Sequence, residues 1–588
     1  ANGAGDLVFG ASGSFTTGGG NIDITANDID LTSGSINAGA GTVTLLVSDG
    51  GAIALGASGV GMVISGTELQ NITATNLTIG DATNGDITVE GITGANTINI
   101  TGLTTLNANN TGASINFSST ASIFTNALTL NANFGVTMNV SLTVGGAIVL
   151  DSDSDNNGAG DFSVADGQTV NSSNNSLTIT ANDINLNTSG ALNTGSGDIT
   201  ILVSDGGTIG VGAASGDMQI TDAELGNITA NNLTIGDSTG GNISISTVTA
   251  ANTNTISGTI TLDASGSGKL ISTDNSTSVF ENALTLTANT SITVAGDLST
   301  NQGDLNFNGA MIIGEANTPT VSTGAGAGDI TVTGAITGTT GGSAETLILL
   351  AGTGAVTLAA VGAGDTTGLV NFTISSSGSA TFGGAVNLPT PGVLAVTSTG
   401  DITGTAASIT VVATSSFTTS GTGTITLTNA SNVFTGGITL SSGTGAVQLT
   451  DSSATILATS TLGGNLTVTS SGAITQAGSL TVSGTSSFTS TGGDITLTDG
   501  SNDLGANLTL DVNNSFNVVT TSTLTDLTLT VSSSSSSTYA LSASNISAFN
   551  LSDTGSNIQI GTLTATALNF GLTVDTDTVT TSGAMSVG

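Results

Sequence analysis

Short runs in which an apolar residue alternates with a polar one recur along the chain. Val43-Thr44-Leu45-Leu46-Val47, Leu77-Thr78-Ile79, Asp86-Ile87-Thr88-Val89 and Ile98-Asn99-Ile100 are typical. The runs are short and β-branched, and their period of two is that of a strand with one buried face. Gly, Asn-Gly, Asp-Gly and Ser-Gly punctuate them about every ten residues, as turn chemistry requires. No apolar stripe at helical spacing stands out, and each interior Gly would weaken a helix by about 1 kcal/mol. Pro389-Thr390-Pro391 and the run Ser532 to Ser537 are the candidate breaks or loops.

The pattern repeats on a longer scale. Thr67 to Val89 aligns without a gap on Ala223 to Ile245, with 15 of 23 positions identical. Ile24-Thr25-Ala26-Asn27-Asp28-Ile29 returns as Ile179-Thr180-Ala181-Asn182-Asp183-Ile184, an offset of 155. These matches place a first long repeat at 1–160, a second at 161–316, and a continuation with shorter repeats at 317–588. In that last part Ser415-Ser416-Phe417-Thr418 and Ile425-Thr426-Leu427 return as Ser486-Ser487-Phe488-Thr489 and Ile495-Thr496-Leu497.

Many short strands with regular turns suit either a string of sandwiches or a solenoid. A sandwich needs large inward side chains to fill a core about 10 Å thick, and this chain is 3% aromatic. A solenoid coil buries a narrow interior against the next coil, and turn Asn, Ser and Thr can stack as hydrogen-bonded ladders. The expectation is all-β: a right-handed parallel β-helix with coils of about 20–22 residues, the hand following the general preference of crossovers. About 28 such coils at roughly 4.8 Å each would make a rod on the order of 130 Å long.

Composition narrows the chemistry. The 588 residues include 40 Asp plus Glu, one cation (Lys269), no His, no Cys and no Trp, for a net charge of −39. Phosphate contacts need many cations, which excludes nucleic acid and anionic membranes as partners. No apolar run is long enough for a spanning helix, so membrane insertion by helices is not expected. Imidazole, thiolate and arginine chemistry are excluded, as are zinc sites of Cys and His. Disorder is disfavoured by 37% hydrophobic residues in strand order and a mean hydropathy of +0.33. The absence of Cys and the near-absence of tryptic sites suit an extracellular chain.

Asp151-Ser152-Asp153-Ser154-Asp155-Asn156-Asn157-Gly158-Ala159-Gly160-Asp161 is the sharpest constellation. Alternating carboxylates followed by Asn and Gly resemble the first half of an acidic calcium loop, since Ca²⁺ takes about six to eight oxygens. The Glu that would close such a loop is absent: Phe162 stands there, and Asp161 is one position short. Either Asp151, Asp153, Asp155 and Asp161 hold Ca²⁺ weakly, or the loop is a solvated acidic turn between repeats. Asp49-Gly50-Gly51, Asp205-Gly206-Gly207, Gly80-Asp81 and Gly236-Asp237 read as turns in which Asp caps its own backbone. Ser265 to Leu270 fails as a phosphate loop, with Asp263 at the first Gly position and Leu270 where a Ser or Thr would hold Mg²⁺. The Asn-x-Ser/Thr triplets at Asn71, Asn76, Asn227, Asn232 and Asn465 are frequent enough to arise by chance. Paired carboxylates could in principle hydrolyse a glycosidic bond, but lyase chemistry lacks its cations and a sugar site its aromatic platforms. A non-enzymatic chain is expected.

The stretch Gly464-Asn465-Leu466-Thr467-Val468-Thr469-Ser470-Ser471-Gly472-Ala473-Ile474-Thr475-Gln476 is followed by Leu480-Thr481-Val482-Ser483-Gly484-Thr485-Ser486-Ser487-Phe488 and Gly493-Asp494-Ile495-Thr496-Leu497-Thr498. It resembles the repeats of giant bacterial exoproteins of the filamentous-haemagglutinin type, also called β-strand-repeat proteins. The likeness is concentrated in residues 400–510. It implies an extracellular, bacterial cell-surface β-helical rod used in adhesion, biofilm or a surface layer. The secretion domain of such proteins is not recognisable, which points to an internal segment.

The expected function is thus a structural rod of a surface adhesin or matrix fibre. The alternatives are a Ca²⁺-dependent surface-layer subunit and a polysaccharide-binding module. Residues 1–9 and 572–588 read as repeat sequence without caps, so partners are expected to be further copies stacked end to end, or a longer chain, together with cell-surface or matrix components.

Overall fold

The computed structural model describes residues 5–56, 59–339, 344–362, 368–389, 391–531, 537–543, 545–553, 558–560, 563–565, 579–581 and 585–587. The chain forms two compact units, Ala1–Ile292 and Thr293–Gly588. Each is a parallel β-solenoid.

In the first unit three files of strands run parallel. One contains Ile22–Ala26, Thr42–Val47, Asn76–Ile79, Thr104–Ala108, Leu128–Ala132, Ile148–Asp151 and Leu177–Ala181. A second holds Ile53–Gly56, Ile87–Val89, Ile115–Phe117, Val136–Met138 and Phe162–Val164, and the third is built from shorter strands such as Ser122–Phe124 and Leu142–Val144. The alternation read from the sequence sets the register. Leu128-Thr129-Leu130-Asn131-Ala132 alternates buried and half-exposed, and Leu106, Leu130 and Leu150 stack in consecutive coils. A one-residue slip would turn each of these leucines outward.

Phenylalanine fills the interior more than expected. Phe117, Phe124, Phe162, Phe280, Phe307, Phe372, Phe382, Phe417, Phe434 and Phe488 are all fully buried. With Phe9 and Phe516 also buried, at least twelve of the chain's 16 Phe sit in these cores, and a single coil can hold two, as Phe117 and Phe124 on adjoining strands show.

Coil length is less uniform than about 20–22 residues. Leu130 pairs with Leu150, 20 on, and Val447 with Leu466, 19 on. Val43, however, pairs with Leu77, 34 on, and Leu77 with Thr104, 27 on. The second long repeat shows the same series, Ile199 to Leu233 at 34 and Leu233 to Ile260 at 27. The longest coil contains a miniature coil in which Ile53 pairs with Met62, only nine residues on, through strands Ile53–Gly56 and Met62–Ser65. Short helices α1 (Gly66–Gln70), α2 (Gly94–Thr97) and α3 (Asp222–Leu225) close the corners of these long coils. Ile98-Asn99-Ile100, read above as a strand, instead follows α2: Ile98 caps the helix and is 58% exposed, and Ile100 alone bridges to Ala74. A three-residue alternation carries too little information to separate a strand from the end of a helical turn.

The miniature coil requires Gly at more than one point, Gly61 (φ +85, a Cβ 2.0 Å from the Ala52 carbonyl oxygen) among them. Gly56 has φ +103, and a Cβ there would lie 1.9 Å from the Glu90 carbonyl oxygen. Its counterpart Gly212 has φ +77 and would meet the Ser246 carbonyl oxygen at 2.0 Å.

The second unit repeats the architecture with more regular coils. One file contains Leu305–Asn308, Ile330–Val332, Ala355–Leu358, Ser379–Phe382, Ile425–Leu427, Val447–Asp451, Leu466–Ser470 and Ser486–Ser490. Another contains Thr320–Ser322, Glu345–Leu350, Leu369–Ser377, Val393–Ser398, Ser415–Thr419 and Gly437–Ser442. Pro389 and Pro391 lie between strands Val386–Leu388 and Val393–Ser398, and pairing of Val386 with Ile409 carries the stack past them. They mark a corner and not a break. Of the other candidate break, Ser532 to Ser536 lies outside the described residues, and Ser537 opens the strand Ser537–Ser542.

Candidate functional site: carboxylates and amides between coils

The residue that opens a strand, or the one just before it, presents a backbone N–H that the coil before must satisfy. Aspartate and asparagine supply the acceptor. Asp86 accepts from the Ser114 amide at 2.8 Å, Asp329 from Ala355 at 2.7 Å, Asp401 from Thr424 at 2.8 Å and Asp494 from Ser515 at 2.9 Å. Asn76, Asn232 and Asn465 do the same for Leu103, Thr259 and Thr485. These three asparagines head Asn-x-Ser/Thr triplets, and their amide groups already join coil to coil. Asn71 is similarly used, its Nδ2 donating to the Leu31 carbonyl at 2.9 Å, and Asn227 Nδ2 is buried.

The turn readings are met in detail. Asp49 accepts from the Gly51 amide and Asp205 from that of Gly207. Asp81 accepts from both the amide and the hydroxyl of Thr83, as Asp237 does from Thr239.

The 151–161 loop separates its four carboxylates by role. Asp151 ends a strand, lies level with Asn131 and Thr180, and accepts from the Asp153 amide at 3.2 Å. Burial pushes its carboxyl above the usual range, and the Asp153 and Asp155 charges add to this while that hydrogen bond opposes it. Asp153 is fully buried. It accepts from the Asn157 amide at 3.2 Å, the Gly158 amide at 2.9 Å and the Ser204 hydroxyl at 2.6 Å. Asp155 is exposed, and hydrogen bonds from the side chain of Asn133 first and from Asn157 among others hold its carboxyl below the usual range. Asp161 accepts from Asn182 Nδ2 at 2.9 Å, a bond that Asp6 repeats with Asn27 at 2.8 Å in the first repeat. Among the described residues no three acidic groups converge as a metal-binding cluster.

Two buried glutamates escaped the sequence reading. Glu68 and Glu224 occupy the same position of the two long repeats and are 6% and 7% exposed. Glu68 Oε1 accepts from the Leu31 amide at 3.0 Å, and its Oε2 accepts from the amide and hydroxyl of Ser65. Glu224 makes the same bonds with Leu186 and Thr221. Asp28 and Asp183 complete each clamp by accepting from the amides of Val63 and Gln219, both at 2.8 Å. The miniature coil interrupts the ordinary stacking, and these carboxylates satisfy amides that would otherwise be orphaned. The signal was available: Ser65 and Glu68, and Thr221 and Glu224, have capping-box spacing.

Asn432 and Asn502 play the corresponding part in the second unit, and both are fully buried. Asn432 accepts from the Ile409 amide and donates to the Leu427 and Thr450 carbonyls, so one side chain joins three coils. Asn502 accepts from the Leu480 amide and donates to the Leu497 and Val519 carbonyls. Their 70-residue offset matches the echo of Ile425 in Ile495. Glu345, also buried, accepts from the Thr339 hydroxyl at 2.6 Å.

Residues 367–441 and 444–511 match the model of a family described as repeats of unknown function (DUF5649). Each matched segment contains one of the asparagine staples. No curated protein and no solved structure matches the chain. The class defined by fold and comparison is a β-solenoid repeat protein.

Proposed function

We propose that the chain is a non-enzymatic structural segment of a bacterial surface adhesin or matrix fibre, working outside the cell. The observation that carries this reading is the use made of the carboxylates. They cap strands, turns and miniature coils, as in Asp86, Asp153, Asp401 and Glu68, and so act as parts of the stack. The resemblance of residues 400–510 to filamentous-haemagglutinin-type repeats supports the same reading.

Display of the full chain on the outer surface of a non-adherent bacterium tests the proposal. Attachment to an abiotic or matrix-coated surface is expected to rise above that of cells displaying an unrelated β-solenoid of similar charge. Equal attachment by the two strains would contradict it.

A further inference from the structure

The second unit contains a groove of about 550 Å³, inside the range of about 300–1,000 Å³ typical of small-ligand sites. Its floor crosses five consecutive coils of one sheet. Ser322 lies beside Leu350, Leu350 beside Ser375, and Thr397 beside Thr418. Between them the register shifts: Ile374 faces Val396 but Ser377 faces Ser398, so one extra residue bulges out. That bulge places Ser376 at the groove with φ +60. A left-handed conformation there favours glycine, yet in a chain with 85 Gly the position is serine. Bulges of this kind re-aim side chains and gather near binding sites.

No charged or aromatic residue is among the groove's described lining. Ser376, Thr397, Thr418 and Ser420 bring hydroxyls to it that make no hydrogen bond to the described protein, and Leu350 contributes an apolar surface. The rungs repeat once per coil, about 4.8 Å, close to the residue repeat of an extended pyranose chain. We infer that this groove binds a neutral, linear glycan along the stacking direction. Free hydroxyls exchange hydrogen bonds with sugar hydroxyls, and Leu350 with the threonine methyls meets the C–H faces of the rings. An anionic glycan would find no cation in the groove. The site goes beyond the structural reading above and does not rest on it, so its failure would leave that reading standing.

Calorimetric titration of the full chain with cellohexaose, xylohexaose and maltohexaose, with hexagalacturonate as the anionic comparison, tests the inference. At least one neutral hexasaccharide is expected to bind with a dissociation constant of about 1 mM. The double variant Thr397→Ala/Thr418→Ala is expected to weaken it about tenfold with an unchanged circular dichroism melt. The control Thr129→Ala/Thr178→Ala, on the first unit, should leave binding as it is. Absence of saturable binding for all three neutral probes would overturn the site. So would equal binding of hexagalacturonate, or equal loss in the control.

Discussion

At the scale of single residues, the carboxylates divide by the sign of their coupling to pH. Asp401 accepts from the Thr424 amide and hydroxyl, and Asp30 from the Thr32 hydroxyl and amide; these donors hold both carboxyls below the ordinary range. Their stabilising contribution is present above the unfolded value of about 3.9 and is lost as pH falls through the lower folded value. Asp183 is the reverse. Burial pushes its carboxyl up, with the Asp161 and Glu224 charges adding, while the amides of Gln219 and Ile184 oppose. Its charged form is disfavoured in the fold, so stability rises as pH falls through its raised folded value. Asp183→Asn keeps the acceptor and drops the charge. It is therefore expected to melt higher than wild type at pH 7, with the difference vanishing as pH falls below about 4. Asp183→Ala, which orphans the Gln219 amide, should lose about 1–3 kcal/mol. Thermal melts at both pH values check this, and an Asn variant as damaged as the Ala variant at pH 7 would refute the burial argument.

At the scale of elements, strand positions were readable and corner chemistry largely was not. Leu-Thr-Ile and Leu-Thr-Leu runs state which residues face inward, and the structure follows them at Leu77, Leu106, Leu130 and Ile179. Their outward partners Thr105 and Thr129 stack in register. Capping by Asp49 and Asp81 was also readable, because an Asx turn is completed within about two residues of chain. Bonds between coils were hidden, since their partners lie far apart along the chain, 17 residues for Asn502 with Val519 and 51 for Asp153 with Ser204. The miniature coil was missed because alternation marks strands but not the insertion that lengthens one coil, and α1 and α3 because the capping-box spacing of Ser65 with Glu68 and Thr221 with Glu224 was not read. Asn432 is the sharpest test of the corner chemistry. Asn432→Ala leaves the Ile409 amide and the Leu427 and Thr450 carbonyls without this partner, at about 1–3 kcal/mol for each group left unsatisfied. The second unit should melt well below wild type, whereas Asn429→Ala, at an exposed turn, should lose under about 1 kcal/mol. Equal melting of the two variants would mean that the buried amide does not hold the coils.

At the scale of the whole molecule, one cation among 40 acids leaves a net charge of −39. Like charges repel over a screening length of about 30 Å at 0.01 M salt and about 8 Å at physiological salt. Lateral association is therefore expected to be weakest at low ionic strength and to rise with salt or divalent cations. Light scattering against NaCl and MgCl₂ reads it directly, and association strongest in chelator at low salt would contradict it. A solenoid gains stability from contacts between neighbouring coils, and the fibre proposed above would extend the same stacking. The most direct measurement is electron imaging and X-ray diffraction of the native material in which the chain occurs. The account predicts filaments longer than one 588-residue chain can make, with a reflection near 4.8 Å along the filament axis. Discrete particles of single-chain mass, without that axial repeat, would contradict it.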